Sequence, residues 1–206
     1  SDSILQTENI DRETTKEFVT DIGREAERLS RITEDLLRLT RLDSGVLDPP
    51  AAVDILPVLE QVMRMMNLVA QEKGVDLTYS AGEDCVVLGT RDETHQVIYN
   101  LVDNAVKYSA AGGAVQVSLE RAGDQVVLTV ADNGVGIPEA DLPRIFERFY
   151  RVDKARSRAA GGTGLGLSIV SDTVKRRGGA VEAANRPEGG AVFTVRWPAL
   201  ERREEA

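Results

Sequence analysis

Two glycine-rich segments and one helix-like segment of this 206-residue chain carry side chains that could bind a nucleotide. The first glycine segment begins at Asp132, whose carboxylate could accept a hydrogen bond from an adenine amino group. The second, residues 161–167, opens a helical stretch, where backbone N–H groups can face phosphate oxygens. Ahead of both, Asn100 and Asn104 lie one helical turn apart and offer oxygen ligands to Mg2+, with Lys107 nearby. Together these residues predict a pocket for Mg-ATP.

Each of these signals has an ordinary alternative when it is considered alone. Asn100 and Asn104 could face solvent, and Asp132 could form a simple Asx turn after a strand. A glycine cluster is a weak signal by itself. The segment 161–167 lacks the Gly-Lys-Ser/Thr ending of a Walker loop, and it follows an irregular stretch instead of a strand, which disfavours a dinucleotide-binding fold. The three signals in one chain favour the nucleotide pocket.

Composition limits the classes of partner. The net charge is −9, which argues against nucleic acid as the main partner, because phosphate backbones favour basic surfaces. An anionic nucleotide would then need a local positive patch, although a solvated charged loop is the alternative. The stretch between the two glycine segments predicts such a patch with Arg144, Arg148, Arg151, Lys154, Arg156 and Arg158. No apolar run approaches the ~20 residues of a membrane helix, and the single cysteine, Cys85, excludes an internal disulfide.

The elements that would position these residues can be predicted from periodicity. A long helix is predicted over residues 13–43, with apolar positions at Phe18, Ile22, Leu29, Ile32, Leu36 and Leu39. A helix of this length should meet other helices, most simply in a dimeric bundle, and folding back on its own domain is the alternative. Further helices are predicted over residues 54–73, 92–108 and 164–177, with a short helical piece within 139–149. Strands are predicted at 75–80, 85–89, 114–121, 126–131, 180–184 and 191–197.

The order of four segments resembles the catalytic domain of bacterial sensor histidine kinases of two-component systems. Residues 96–109 (QVIYNLVDNAVKYS) resemble its asparagine box, and residues 132–137 (DNGVGI) its first glycine box. Residues 145–153 (IFERFYRVD) resemble its phenylalanine box, and residues 162–167 (GTGLGL) its second glycine box. Residues 25–39 also resemble the second helix of the dimerisation and histidine-phosphotransfer domain in that family.

The resemblance implies a fold and a division into domains. We expect an α+β, two-layer sandwich of the Bergerat ATPase type, in which a mixed sheet carries three helices on one face. A long bundle helix would precede it. The implied boundaries are a partial dimerisation hairpin over residues 1–46, an ATP-binding catalytic domain over 52–200 and a tail over 201–206.

The resemblance also implies roles for single residues. Asn100 and Asn104 would contact Mg2+ and the phosphates, Lys107 the phosphate chain, and Tyr108 the nucleotide. Asp132 would read the adenine, with Thr194 as a second contact through water. The pocket and its lid would be shaped by Gly134, Gly136, Ile137, Gly162, Thr163, Gly164, Leu165, Gly166 and Leu167.

Four residues of the phenylalanine box are implied in phosphate binding or in anchoring the lid. Arg151 is expected to bind the γ-phosphate, with Arg148 as the second choice. Phe146 and Phe149 would anchor the lid or dock it on the helical bundle. Phosphoryl transfer depends on charge neutralisation and positioning, which suits the two arginines as phosphate ligands and the two phenylalanines as anchors of the lid.

One family feature is absent from this sequence. The family accepts the phosphoryl group on a histidine, usually in His-Glu-x-x-x-Pro, but the only histidine is His95, just ahead of the asparagine box. We interpret His95 as a surface or packing residue and expect the chain to begin after the true acceptor, with residues 1–6 as the tail of the first bundle helix. This piece would therefore bind Mg-ATP or Mg-ADP without phosphorylating itself.

The implied activity is transfer of the γ-phosphoryl of Mg-ATP to a histidine and then to an aspartate of a response regulator. The expected partners are that regulator and a second copy of the parent, and the chain would be the cytoplasmic domain of a kinase anchored in the inner membrane. Two alternatives are an anti-sigma-type serine kinase and a non-catalytic nucleotide-binding signalling module.

Overall fold

The computed structural model describes residues 12–44, 49–152 and 163–201 of the chain. A long helix, α1 (Arg12–Ser44), comes first. The helices that follow are α2 (Ile55–Lys73), α3 (Arg91–Tyr108) and α4 (Gly166–Arg176). The strands are β1 (Ala51–Asp54), β2 (Asp76–Ala81), β3 (Val86–Gly89), β4 (Ala114–Ala122), β5 (Gln125–Asp132), β6 (Ala180–Asn185) and β7 (Ala191–Pro198).

Five strands form one mixed sheet in the order β2-β4-β5-β7-β6. The edge strand β2 runs parallel to β4, and all other neighbours are antiparallel. Because side chains alternate along a strand, one face of the sheet is apolar. That face carries the buried residues Val115, Val117, Leu119, Val126, Leu128, Val130, Phe193, Val195 and Trp197.

Helices α2, α3 and α4 cover this apolar face and complete a two-layer α+β sandwich. The predicted mixed sheet with three helices on one face is therefore confirmed. The core between the layers includes Leu59 and Met66 from α2, Ile98 and Leu101 from α3, and Val170 from α4. Among the described residues, none of the helices combines the length and the hydrophobicity that a membrane-spanning segment needs.

The ends of the helices are set by local hydrogen bonds. Asp54 caps α2 by accepting from the N–H of Leu56 at 3.1 Å. Thr90 and Glu93 form a reciprocal capping box at the start of α3. Glu93 also accepts two hydrogen bonds from Arg177, from Nε at 3.0 Å and from Nη2 at 2.8 Å. This nearly buried ion pair joins the start of α3 to the end of α4.

Two local predictions differ from the structure. Residues 139–149 form a series of turns instead of a helix, because Pro143 has no N–H to donate and the bonds from Arg144 to Asp141 and from Glu147 to Arg144 span only three residues. Strand β1, which the sequence does not predict, pairs with β3 in a separate two-stranded sheet.

The apolar seam of α1 has two different environments. Leu39 is buried against Leu165 and Ile169 of the segment that opens α4. The seam residues Phe18, Ile22, Leu29 and Leu36 are exposed. The alternative prediction, folding back on the chain's own domain, therefore holds for the Leu39 end, and most of the remaining seam faces outward. The predicted helix over residues 1–6 lies outside the described residues.

Candidate nucleotide site

A cavity of about 750 Å³ lies between α3, the turn after β5 and the start of α4. From α3, the predicted residues Asn100, Asn104, Lys107 and Tyr108 all line it. The turn after β5 and the segment leading into α4 contribute Asp132, Gly136, Ile137, Thr163, Gly164, Gly166 and Leu167, and Arg151 also lines the cavity. Side chains from distant parts of the sequence thus converge on one space.

The α3 wall presents two carboxamides to the cavity. Asn100 is buried, and its Nδ2 donates to the carbonyl oxygen of Gly166 at 3.1 Å. Asn104 lies one turn later and is half-buried. Among the described residues no group of three or more His, Cys, Asp or Glu side chains could hold a metal ion. The amide oxygens of Asn100 and Asn104 fit Mg2+ by their chemistry, because this ion prefers oxygen ligands and is usually held by one or two protein ligands together with phosphates and water.

The C-terminal end of α3 is fixed by a residue of α2. The ammonium group of Lys73 donates to the carbonyl oxygen of Val106 at 2.7 Å and also to that of Lys107. These bonds satisfy carbonyls that a helix end leaves without intrahelical partners. They hold the backbone of Lys107 while its side chain lines the cavity.

Asp132 ends β5 with its carboxylate almost fully buried. Its Oδ1 accepts from the N–H of Gly134 at 2.8 Å and from the N–H of Ala191 at 3.3 Å. No residue in the described ranges donates to Oδ2, so this atom can accept a hydrogen bond from a ligand in the cavity. Burial raises the pKa of Asp132, while the two N–H bonds and the charge of Arg186 oppose that rise.

The β6–β7 hairpin supports the turn that carries Asp132. The side chain of Asn185 pairs with both backbone groups of Ile137, accepting from its N–H at 2.8 Å and donating to its carbonyl at 2.6 Å. Gly136 has φ +69°, and a Cβ there would lie 3.0 Å from Asn185 Oδ1. At Gly190 a Cβ would lie 2.0 Å from the carbonyl oxygen of Asp132, so only glycine allows this approach.

The segment before the second glycine cluster is anchored at its base. Phe149 adopts φ +64° and donates its N–H to the carbonyl of Gly164 at 2.9 Å. The hydroxyl of Tyr150 donates to Asp141, and the guanidinium of Arg144 lies 4.3 Å from the centre of the Tyr150 ring. Residues 149–150 and 164 are thereby held together beside the cavity.

Several predicted site residues do not line the cavity. The structure corrects the prediction for Thr194, because the alternation of β7 directs Phe193 into the cavity and Thr194 to the opposite face of the sheet. Arg148 forms an ion pair with Asp172 at 2.9 Å, and Leu165 is buried against Leu39.

The remaining predictions concern packing or residues that the structure does not describe. Gly134 supports the turn from behind, where a Cβ would lie 2.5 Å from the carbonyl oxygen of Tyr108. Phe146 is partly buried against the core, and Phe149 is exposed. Gly162 and the basic residues Lys154, Arg156 and Arg158 lie outside the described residues.

Other lining residues escape sequence reasoning. His95 and Tyr99 stack with ring centres 6.3 Å apart and both line the cavity, as do Gln96 and Glu34 of α1. His95 is thus a half-buried packing residue at the cavity wall, and not a fully exposed one. The sequence does not identify the residues that support the turn, such as Asn185. The Gly189-Gly190 pair indicates a turn in this region but does not show which residues that turn contacts.

Comparison with known proteins agrees with this geometry. Residues 89–201 match the model of the family described as histidine kinase-, DNA gyrase B- and HSP90-like ATPase. The chain is 36% identical over 192 residues to the signal transduction histidine-protein kinase BaeS of Escherichia coli (strain K12), covering 93% of this chain and 41% of BaeS. It therefore spans less than half the length of this relative.

Solved structures give the same result. Full-length ShkA in complex with AMPPNP superposes with a TM-score of 0.76 at 29% identity, covering 94% of this chain and 40% of that one. The catalytic domain of histidine kinase ThkA gives a TM-score of 0.66 at 26% identity, covering 74% of this chain and 97% of that one. The chain belongs to the histidine kinase-, DNA gyrase B- and HSP90-like ATPase family, and it contains the ATP-binding catalytic domain of a sensor histidine kinase.

Proposed function

We propose that this chain binds Mg-ATP in the cavity between α3, the Asp132 turn and the start of α4, and serves as the catalytic part of a longer two-component sensor kinase. The parent would transfer the γ-phosphoryl group to a histidine on its helical bundle and from there to an aspartate of a response regulator. The observation that carries the proposal is the convergence of Asn100, Asn104, Lys107 and Asp132 on one cavity.

The proposed roles follow from the chemistry of each side chain. Asp132 Oδ2 would accept from the adenine amine, since its Oδ1 is already bonded to two backbone N–H groups. Asn100 and Asn104 would hold Mg2+ through their oxygens, and Mg-ATP would supply the phosphoryl group. Lys107 and Arg151, which both line the cavity, would neutralise phosphate charge, the main requirement of phosphoryl transfer.

The exposed apolar surface of α1 supports contact with a second copy of the parent. Phe18, Ile22, Leu29 and Leu36 present exposed apolar surface along one helix, which is expensive to leave in water. We propose that this seam completes a dimeric helical bundle in the parent. We further propose that the parent is anchored in the inner membrane with this chain on the cytoplasmic side.

The binding part of the proposal is tested by titration calorimetry with Mg-ATP. The unmodified chain should bind, and Asp132→Ala should lose most of the heat. Asp76→Ala, a change at an exposed aspartate at the start of β2, is the matched control and should bind like the unmodified chain. Equal heats for the unmodified chain and Asp132→Ala would remove the proposed adenine contact.

The transfer part is tested with γ-labelled ATP. The 206-residue chain alone should gain no acid-labile label, because we propose that His95 packs on Tyr99 and is not the acceptor. Label should appear on the histidine-bearing parent when its own nucleotide site is inactivated by the combined changes Asn100→Ala and Asp132→Ala and this chain is added. Acid-labile label on the chain alone that disappears in His95→Ala would contradict the proposed role of His95.

A further inference from the structure

A chain of two side-chain hydrogen bonds fixes the orientation of the Asn100 amide. Gln96 lies one turn before Asn100 on α3, and its Nε2 donates to Asn100 Oδ1 at 3.0 Å. Asn100 Nδ2 in turn donates to the carbonyl oxygen of Gly166, the first residue of α4, at 3.1 Å. Gln96, Asn100 and Gly166 all line the cavity.

This arrangement decides which atom of the Asn100 amide is the oxygen. The carbonyl of Gly166 can only accept a hydrogen bond, so the Asn100 atom that faces it must be the nitrogen. The atom that faces Gln96 must then be Oδ1, and Gln96 must present its NH2 group. A flipped Asn100 would place two carbonyl oxygens together at Gly166 and two NH2 groups together at Gln96. The Gly166 contact opposes this flip, and the Gln96 contact opposes it as long as Gln96 keeps its NH2 group toward Asn100.

We propose that Gln96 is a positioning residue for Mg2+ binding, holding the oxygen of Asn100 in the orientation in which it can bind the ion. This inference rests on the proposed function, in which Asn100 is a Mg2+ ligand. An amide oxygen accepts in two directions. One direction takes the N–H of Gln96, and the other remains for the cation. A second residue that orients a ligand in this way typically changes metal affinity about 10- to 100-fold.

A purely structural role makes a different prediction. If Gln96 only stabilised this turn of α3, its loss would weaken nucleotide binding equally with and without Mg2+. If it orients Asn100, its loss should weaken only the part of nucleotide binding that depends on Mg2+. The ratio of the ADP dissociation constants in EDTA and in saturating Mg2+ measures that part.

The test compares Gln96→Met and Gln96→Leu, which remove the donor, with the unmodified chain by calorimetric titration of ADP. We expect the Mg2+-dependent ratio to fall about 10-fold or more, with ADP binding in EDTA changed less than about twofold. Gln116→Met, at an exposed glutamine of β4, is the matched control and should keep the ratio. An unchanged ratio, or equal losses in both conditions, would overturn the role of Gln96 while leaving the nucleotide site intact.

A measurement on the unmodified chain keeps the test valid if the variants do not fold. In 1H-15N NMR spectra at saturating ADP, adding Mg2+ should shift the side-chain amide of Gln96 and leave that of Gln116 in place. A Gln96 amide insensitive to Mg2+ would overturn the inference. Failure of the unmodified chain to bind ADP at all would instead overturn the proposed function.

Discussion

Replacing Asp132 by asparagine should reverse the hydrogen-bonding character of the base-contacting atom. The backbone N–H groups of Gly134 and Ala191 both donate to Oδ1, at 2.8 and 3.3 Å. An asparagine must keep its single oxygen at that position, because an NH2 group there would face two N–H donors. Its Nδ2 would then replace Oδ2 and face the adenine amine, so that donor meets donor.

The magnitude follows from the bond that is lost. A hydrogen bond to a charged group contributes about 1.5–3 kcal/mol, and each 1.4 kcal/mol is about a tenfold change in affinity. Asp132→Asn should therefore weaken Mg-ATP binding about 10- to 100-fold. Binding of Mg-GTP should not weaken in parallel, because the guanine oxygen accepts where the adenine amine donates. The ratio of ATP to GTP affinity should fall.

Calorimetric titration with non-hydrolysable analogues of both nucleotides is the assay. Asp76→Asn, at an exposed aspartate of β2, controls for the loss of a negative charge elsewhere and should leave both affinities unchanged. An unchanged ATP affinity in Asp132→Asn would refute the contact between Oδ2 and the adenine. Equal losses for ATP and GTP would point to damage to the turn and would refute the reasoning from donor and acceptor positions.

Three further predictions concern the supports of the site. Gly136→Ala should lower the stability of the fold by about 1–2 kcal/mol because of the positive φ at this position. The loss should be larger than for Gly112→Ala, because a Cβ at Gly112 meets open space. Thermal unfolding of both variants measures the difference. Arg177→Met should cost about 3 kcal/mol, because it leaves the carboxylate of Glu93 nearly buried without its partner, and denaturant unfolding would contradict this if the midpoint did not move. Burial raises the pKa of Asp132, so nucleotide affinity should weaken as pH falls through that raised pKa. In the free chain, burial favours the protonated carboxyl group, so the folding stability that this group contributes is lost as pH rises through the same pKa. Titrations of nucleotide across acidic pH check the first effect, and Asp132→Asn should remove it.

Local patterns were sufficient to predict most of the fold. The period of apolar residues in α3 and the alternation in β4 and β5 each reflect burial of one face, so both are visible in the sequence. Residues 139–149 have the period of a short helix but form turns, because Pro143 removes a donor. Strand β1 was missed because a four-residue strand next to a capped helix has too little pattern to distinguish it.

The sequence predicts the site residues whose own side chains carry the chemistry. It does not predict supporting contacts between residues that are far apart in the sequence. Asn100, Asn104 and Asp132 are recognisable by type and spacing, and all three line the cavity. The pairing of Asn185 with Ile137 joins residues 48 positions apart, and no local signal indicates it. The family resemblance implies a contact of Thr194 with the adenine through water, but the register of β7 directs Phe193 to the cavity instead.

A crystal structure of the chain with Mg2+ and AMPPNP would show whether α3, the Asp132 turn and the start of α4 enclose one nucleotide and its metal. We predict the adenine amine at hydrogen-bond distance from Asp132 Oδ2, and the amide oxygens of Asn100 and Asn104 on the metal or its water ligands. A base bound away from Asp132, or a metal bound away from both asparagines, would rule out this nucleotide site.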